Sequence, residues 1–183
     1  MDRTIKADLF RYDQLSGNRG FRKGLTIPGF RFMYIFRKLS AARKNSLSWL
    51  FYSYLKHRYS FKYGFQIPKE TKIGEGLFLG HFGTVVINGD SVIGKNCNIA
   101  HCVTIGQVNT GRFKGCPKIG DKVWIGTGAV LVGKIVVGSD VLIAPNSYVN
   151  FDVPKNSLVI GNPAKIIPRE NPSNGYINNI WNE

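Results

Sequence analysis

Several residue types are scarce in this sequence, and each scarcity excludes a class of structure. There are three cysteines, Cys97, Cys102 and Cys116. An odd number with no Cys-x-x-Cys or Cys/His spacing indicates neither a disulfide framework nor a zinc site, so we expect reduced thiols. No apolar run approaches the roughly 20 residues of a membrane span, and no apolar stretch follows the charged N-terminus as in a secretory signal. We therefore expect a cytoplasmic protein.

Acidic residues are also scarce, 11 against 25 lysines and arginines, and the resulting positive charge is uneven. Residues 1–64 hold 14 basic and 3 acidic residues, whereas residues 65–183 hold 11 and 8. We interpret region 1–64 as an amphipathic helical cap packed on the rest of the molecule. The alternative is a basic, aromatic surface for peripheral contact with membrane lipid or an acidic glycan. No recognition motif for nucleic acid accompanies the charge, so we expect no nucleic-acid partner.

Two segments of this region, 29–43 and 45–60, have the apolar spacing of helices. The second opens with the candidate caps Asn45 and Ser46. Five of its apolar residues share one face: Leu47, Leu50, Phe51, Tyr54 and Leu55. Glycines and the Pro28-Gly29 pair are expected to separate a first short helix from these two; the glycines are Gly17, Gly20 and Gly24.

A period of six dominates region 65–168. The recurring aliphatic residues are Ile73, Leu79, Ile87, Ile93, Ile99, Ile105, Ile119, Ile125, Leu131, Val137, Ile143 and Val149. Glycine or alanine often follows, which suits a corner between short strands. Three six-residue sides make a coil, and coils stack about 4.8 Å apart through backbone hydrogen bonds. The sequence therefore predicts a mainly β fold, a parallel β-helix of hexapeptide repeats, with a small N-terminal α-helical region and a C-terminal tail over 169–183.

Two interruptions break the period. Two residues are inserted between Leu79 and Ile87, and eight between Ile105 and Ile119. The longer insertion is polar and glycine-rich, so residues 107–118 are expected to protrude as a loop. Because loops on rigid scaffolds often carry function, we expect this loop to close a ligand site.

Three histidines are present. His57 lies in the helical region and is interpreted as a partly exposed helix residue. His81 and His101 each follow a corner aliphatic residue by two positions, and they are 20 residues apart. Three hexapeptides and the two-residue insertion account for that separation. The two side chains should therefore lie on one side of the prism, one coil apart.

The run GLFLGHFGTVVINGDSVIGKNCNIAHCVTIG (76–106), the ending VIGNPAKII (159–167) and the segment ADLFRY (7–12) resemble the serine acetyltransferases and related hexapeptide acetyltransferases. This resemblance implies a left-handed β-helix and a homotrimer or a dimer of trimers. It also implies acetyl-CoA as co-substrate, no metal, and a small-molecule acceptor with a hydroxyl group. The active sites would lie in clefts between neighbouring β-helices.

By the same resemblance, His81 is the catalytic histidine, and His101 is its neighbour in the site. A histidine can take the proton of a hydroxyl group at neutral pH as that group attacks a thioester. The CoA arm would run along the coils towards a nucleotide site, where Lys165 could meet a phosphate. The implied CoA-binding residues are Gly126, Ala129, Ala144, Gly161, Ala164 and Lys165.

The sequence departs from the family pattern at four places. Gly80 replaces an aspartate before the catalytic histidine, and Gly89 replaces a glutamate. Gln66 stands for the aspartate that orients the histidine, and Cys116 with Gly115 replaces an Arg-His pair. Gln66 and Cys116 are thus candidate acceptor-binding residues. Since charged residues are missing there, the acceptor is either L-serine or a hydroxyl of a sugar or surface-polysaccharide precursor.

The last residues, NNIWNE, lack the terminal isoleucine through which the family docks into cysteine synthase, so this partner is not expected. Two other classes of function compete. A γ-type carbonic anhydrase would need three zinc-binding histidines, and only His81 and His101 lie in the repeats. A β-helix without catalysis, acting as a binding or scaffold protein, would show no CoA binding.

Overall fold

The structure is a computed structural model that describes residues 1–182, with four helices ahead of a parallel β-helix. The helices are α1 (Arg3–Phe10), α2 (Gly17–Gly24), α3 (Pro28–Ala41) and α4 (Leu47–Tyr63). Ser46 caps α4 by accepting a hydrogen bond from the Trp49 backbone N–H at 3.2 Å. Gly64 ends α4 in the left-handed conformation, with φ at 76°. No helix within residues 1–182 combines the length and the apolar content needed to cross a bilayer.

Short strands form the three faces of the prism. Sheet A contains β1 (Phe65–Gln66), β4 (Val85–Ile87), β7 (Thr104–Gly106), β10 (Val130–Val132) and β13 (Tyr148–Val149). Sheet B contains β2 (Lys72–Ile73), β5 (Val92–Ile93), β8 (Lys118–Ile119) and β11 (Val136–Val137). Sheet C contains β3 (Phe78–Leu79), β6 (Asn98–Ile99), β9 (Val123–Ile125), β12 (Val141–Ile143), β14 (Ser157–Gly161) and β15 (Ala164–Pro168). Neighbouring strands pair in parallel except β14 and β15, which form an antiparallel hairpin.

The predicted hexapeptide register is confirmed. Each aliphatic residue of the period stacks on its counterpart one coil away; in sheet C, Leu79 pairs with Ile99, and Ile99 pairs with Ile125. All twelve face the interior, where Ile73 at the first coil is half-buried and the rest are buried. At about 1.5–3 kcal/mol for each buried side chain, this column is the main stabilising core of the β-helix.

A buried ion pair attaches the helices to the first coil. The Asp8 carboxylate of α1 accepts hydrogen bonds from the backbone N–H groups of Gly76 at 2.9 Å and Leu77 at 3.1 Å. Arg37 of α3 donates to the same carboxylate at 2.9 Å and to the carbonyls of Ile73 and Gly74 at 2.6 Å. Burial raises the pKa of the Asp8 carboxyl, and the Arg37 guanidinium opposes that rise. The helices therefore have a fixed position relative to the coils.

The expectation that Gly17, Gly20 and Gly24 only separate helices is wrong, because these residues form α2. Close packing explains Gly20 and Gly24, whereas Gly17 has φ at 62°, in the left-handed region, and no neighbour close to a Cβ. A Cβ on Gly24 would lie 2.5 Å from Leu9 Cδ1 and 2.8 Å from Phe30 Cδ1. Tertiary contacts with α1 and α3 thus override the low helix propensity of glycine.

The expected packing of the helical region is confirmed for α1 and α3 but is wrong for the apolar face of α4. Asp8 and Leu9 of α1 and seven residues of α3 are buried. Of the 17 residues of α4, only Tyr63 is buried. Leu47, Leu50, Phe51 and Tyr54, predicted on one face, are exposed together with Phe61.

The C-terminal segment returns along sheet C to the N-terminal helices. The Tyr176 ring packs against Trp124 of β9 with centroids 4.9 Å apart. Trp181 exchanges two hydrogen bonds of 3.0 Å with the Asn96 side chain and packs edge-on against Phe10 of α1. This segment therefore covers the outer face of sheet C within its own chain.

Candidate active site

The two histidines of the β-helix lie at the corner between sheets C and A. His81 follows β3 and His101 follows β6, so the two occupy consecutive coils. Their ring centroids are 5.6 Å apart with the planes at 84°, an edge-on contact. The predicted proximity of His81 and His101 is therefore confirmed, and their roles remain predictions.

The two imidazoles differ in accessibility. His81 is exposed, whereas His101 is half-buried and its Nδ1 has no hydrogen-bond partner within residues 1–182. The two-residue insertion after His81 folds back here: Gly83 has φ at 135°, and a Cβ on it would lie 3.2 Å from Cβ of His101. An exposed imidazole beside a closely packed one can accept a proton from a bound hydroxyl group, while its neighbour fixes the local shape.

A column of small residues runs from His81 up the same corner. Gly80, Ala100, Gly126 and Ala144 follow the paired strands β3, β6, β9 and β12 in register. Beside this column lie His81, His101, Thr127, Pro145 and Gly161, one residue per coil. The residues of this column carry no side chain larger than a methyl group over three coil steps, and the rings of Phe78 and Trp124 pack beside Gly80 and Gly126.

The proposed CoA-binding residues occupy different positions relative to this corner. Gly126 and Ala144 belong to the column, and Gly161, Ala164 and Lys165 lie at its far end in the β14–β15 hairpin, with Lys165 exposed. Ala129 does not line the corner, because its side chain is fully buried in the prism core. The prediction that Ala129 leaves room for the CoA arm is wrong for this reason.

The loop 107–118 leaves the β-helix at another corner. It joins β7 of sheet A to β8 of sheet B, whereas His81 lies where sheet C meets sheet A. Val108 and Gly115 exchange backbone hydrogen bonds of 3.0 and 2.9 Å, and Phe113 O accepts the Lys134 N–H at 2.8 Å. Within one chain the loop therefore lies away from His81, and its closing of a ligand site stays a prediction for a cleft between copies.

A polar cluster lies at the base of this loop. The Asn88 side chain donates to Gln107 at 3.1 Å and accepts from the Cys116 thiol at 3.2 Å. Burial raises the pKa of the Cys116 thiol, and nearby Asp90 raises it further. The adjoining cavity, about 380 Å³, is lined among others by Asp90, Gln107, Lys114, Cys116, Lys118 and Lys134. Neutral amides beside cations can hold either a hydroxyl group or a carboxylate.

Asn88 and Gln107 were not predicted from the sequence as site residues, although each directly follows a strand of sheet A at the corner that carries the loop. Gln66 lies elsewhere, on the outer face of β1 in a groove of about 750 Å³ between α4 and sheet A. His57 and Lys56 of α4 line the same groove, and burial lowers the pKa of Lys56. The structure does not bring Gln66 and His81 together in this groove.

In the described part of the chain Cys97, Cys102 and Cys116 are free thiols. Burial raises the pKa of the Cys97 thiol to about 12. Across residues 1–182 no group of three or more histidine, cysteine, aspartate or glutamate side chains is arranged to hold a metal ion.

Comparison with known proteins agrees with the hexapeptide repeat. Residues 116–150 match the family model for the bacterial transferase hexapeptide (six repeats). A serine acetyltransferase from Helicobacter pylori is 36% identical over 148 residues, which are 80% of this chain and 85% of that protein.

Solved structures of serine acetyltransferases superpose on most of the chain. The Neisseria gonorrhoeae enzyme in complex with serine has a TM-score of 0.72 and 32% identity, covering 90% of this chain and 68% of that one. The Brucella abortus enzyme in complex with coenzyme A has a TM-score of 0.74 and 32% identity, covering 92% and 66%. The β-helix of this chain is left-handed like theirs and has about five turns. The chain belongs to the serine acetyltransferase family of hexapeptide-repeat acyltransferases.

Proposed function

We propose that the protein transfers the acetyl group of acetyl-CoA to the hydroxyl group of L-serine, with His81 as general base. The observation that carries the proposal is the exposed His81 imidazole at the start of a corner lined by small residues, in a chain of this family. Related enzymes have been solved with serine and with coenzyme A, which supports both substrates.

The proposed chemistry needs one proton acceptor and one oxyanion donor. His81 takes the proton of the serine hydroxyl as its oxygen attacks the thioester carbonyl, which gives a tetrahedral oxyanion. A backbone N–H of a neighbouring coil stabilises that oxyanion. The C–S bond then breaks, and the imidazolium returns its proton to the leaving thiolate. His101 holds the corner beside the base.

The proposed acetyl-CoA arm follows the corner from His81 past Gly126 and Ala144 to the β14–β15 hairpin. Replacing the exposed Lys165 with alanine should raise KM for acetyl-CoA about threefold to tenfold, because a solvent-exposed cation contributes modestly to phosphate binding. Steady-state kinetics should show kcat nearly unchanged. The control is Lys155→Ala, which changes another exposed lysine outside the corner. An equal KM for acetyl-CoA in the unchanged protein and in both variants would contradict the role of Lys165.

A homotrimer, or a dimer of trimers, would complete the site. The His81 corner lies where the strands of sheet A begin, and the loop 107–118 lies where they end. In one chain alone the two therefore do not face each other. In the proposed assembly the loop of one copy, with Cys116 and Asn88 at its base, faces His81 of the next copy. We further propose that this assembly is cytoplasmic.

The acceptor is tested by thiol release from acetyl-CoA in the presence of L-serine, O-methylserine and a panel of hexoses and amino sugars. We expect L-serine to accelerate release and O-methylserine, which lacks the hydroxyl group, to have no effect. Acceleration by a sugar alone would contradict serine. It would favour the second candidate, a saccharide hydroxyl, which the uncharged Gly80, Gly89 and Cys116 at the family's charged positions support.

A further inference from the structure

We propose that the outer face of α4 docks the protein on membranes that contain anionic phospholipid. Five large apolar side chains recur on this face at helical spacing and are exposed: Leu47, Leu50, Phe51, Tyr54 and Phe61. The exposed fraction reaches 86% for Leu47 and 79% for Phe61. Single exposed apolar residues are ordinary, but five on one face of one helix, hereafter the stripe, mark an interaction surface.

The other side of α4 holds the helix on the body of the protein. Tyr63 is buried and its hydroxyl accepts a hydrogen bond from Arg31 at 3.0 Å. Tyr59 packs against the main core, and Tyr52 packs edge-on against Tyr34 of α3 at 6.5 Å. The stripe can therefore enter the interfacial region of a bilayer while α4 keeps its contacts with the protein.

The charge around the stripe is of one sign. No acidic residue occurs between Asp13 and Glu70, a stretch with twelve lysines and arginines. Arg43 and Lys44 lie just before α4. At 100° per residue, Arg58 lies on the face of the stripe between Tyr54 and Phe61, and Lys62 lies at its edge. In the described structure none of these four basic residues forms an ion pair. Their long side chains can reach phosphate groups while the aromatic rings sit below the headgroups.

The positive charge around the outer face of α4 favours a bilayer over a second copy of the chain as its binding partner. Two copies joined through this face would bring two sets of unneutralised cations together, which is unfavourable. An anionic leaflet instead attracts each lysine or arginine near its surface. The combination of an apolar stripe with an acid-free basic border is that of an interfacial helix.

Co-sedimentation of the full chain with vesicles tests the proposal, using phosphatidylcholine alone and phosphatidylcholine with about 30% phosphatidylglycerol. We expect strong binding to the anionic vesicles, weak binding to the neutral ones, and a large decrease on raising NaCl, which screens exposed charges. Absent binding, or equal binding to both vesicle types, would overturn the proposal. The readout does not depend on acetyl transfer, so it is separate from the proposed activity.

Two double variants locate the surface. R58E with K62E should lower the vesicle partition coefficient about 30-fold or more, and F51S with F61S at least about 10-fold. Their matched controls are K155E with R169E, and V136S with I167S, which change exposed residues outside the helical region. Equal losses in variants and controls would overturn the assignment to α4.

Light scattering tests whether the stripe is instead a contact between copies of the chain. If F51S with F61S lowers the molecular mass of the protein in the absence of vesicles, the stripe is a contact between copies and the membrane proposal is wrong. An unchanged mass, together with lost vesicle binding, supports the proposal.

Discussion

Replacing His81 with alanine should lower kcat for acetyl transfer by about 10²–10⁴-fold, the usual contribution of a general base. The change should leave the fold intact, because the His81 side chain is exposed and lies outside the aliphatic core. Far-UV circular dichroism and the melting temperature should match those of the unchanged protein. Full activity in the His81→Ala protein would refute the assigned base.

His57 and His101 provide the matched controls. His57→Ala should have no effect on kcat, because the exposed His57 lines the groove between α4 and sheet A, which His81 does not line. His101→Ala should have a smaller effect than His81→Ala, since His101 is half-buried beside the base. An equal loss from His81→Ala and His101→Ala would mean that the two imidazoles act as a unit.

The His81→Ala protein also tests whether the active site forms between copies of the chain. A second variant, with loop residues 109–114 replaced by a short glycine linker, should also be inactive if the loop completes the site. Co-expression of this variant with His81→Ala should restore part of the activity, because some interfaces would then pair an intact histidine corner with an intact loop. If activity is not restored, the His81 corner and the loop do not combine in a site between copies.

Much of the fold could be predicted because the period of six is an unusual physical constraint. Each side of the prism must place one aliphatic residue inward, so Ile93 and Ile119 follow from spacing alone. The proximity of His81 and His101 follows in the same way, from three sides and one insertion. The same register also places Ala129 inward, four positions after Ile125, so its exclusion from the CoA corner could have been predicted.

The corner that carries the loop could also have been counted from the period, since Ile105 is four sides beyond Leu79 and therefore one side away from the His81 corner after a full turn. Other features are not contained in the period. The surroundings of Gln66 depend instead on how α4 packs over sheet A. For α4 itself, a buried stripe and an exposed stripe have the same apolar spacing, so only the tertiary structure separates them.

Replacing Ile93 with aspartate should prevent folding of the β-helix. Ile93 is 2% exposed and stacks between Ile73 and Ile119 on the inner side of sheet B. Truncating such a side chain costs about 2–5 kcal/mol, and an unpaired buried carboxylate adds several more. Since domains are stable by only about 5–15 kcal/mol, the sum removes most or all of the stability.

The adjacent residue of the same strand supplies the control for Ile93→Asp. Val92 points outward, and its register partners on the flanking strands are Lys72 and Lys118. An aspartate at position 92 would lie between two lysines, so Val92→Asp should fold and melt close to the unchanged protein. Soluble yield and circular dichroism of the two variants measure the difference. A soluble Ile93→Asp protein with unchanged melting would contradict the register, and with it the placement of His81 at the corner between sheets C and A.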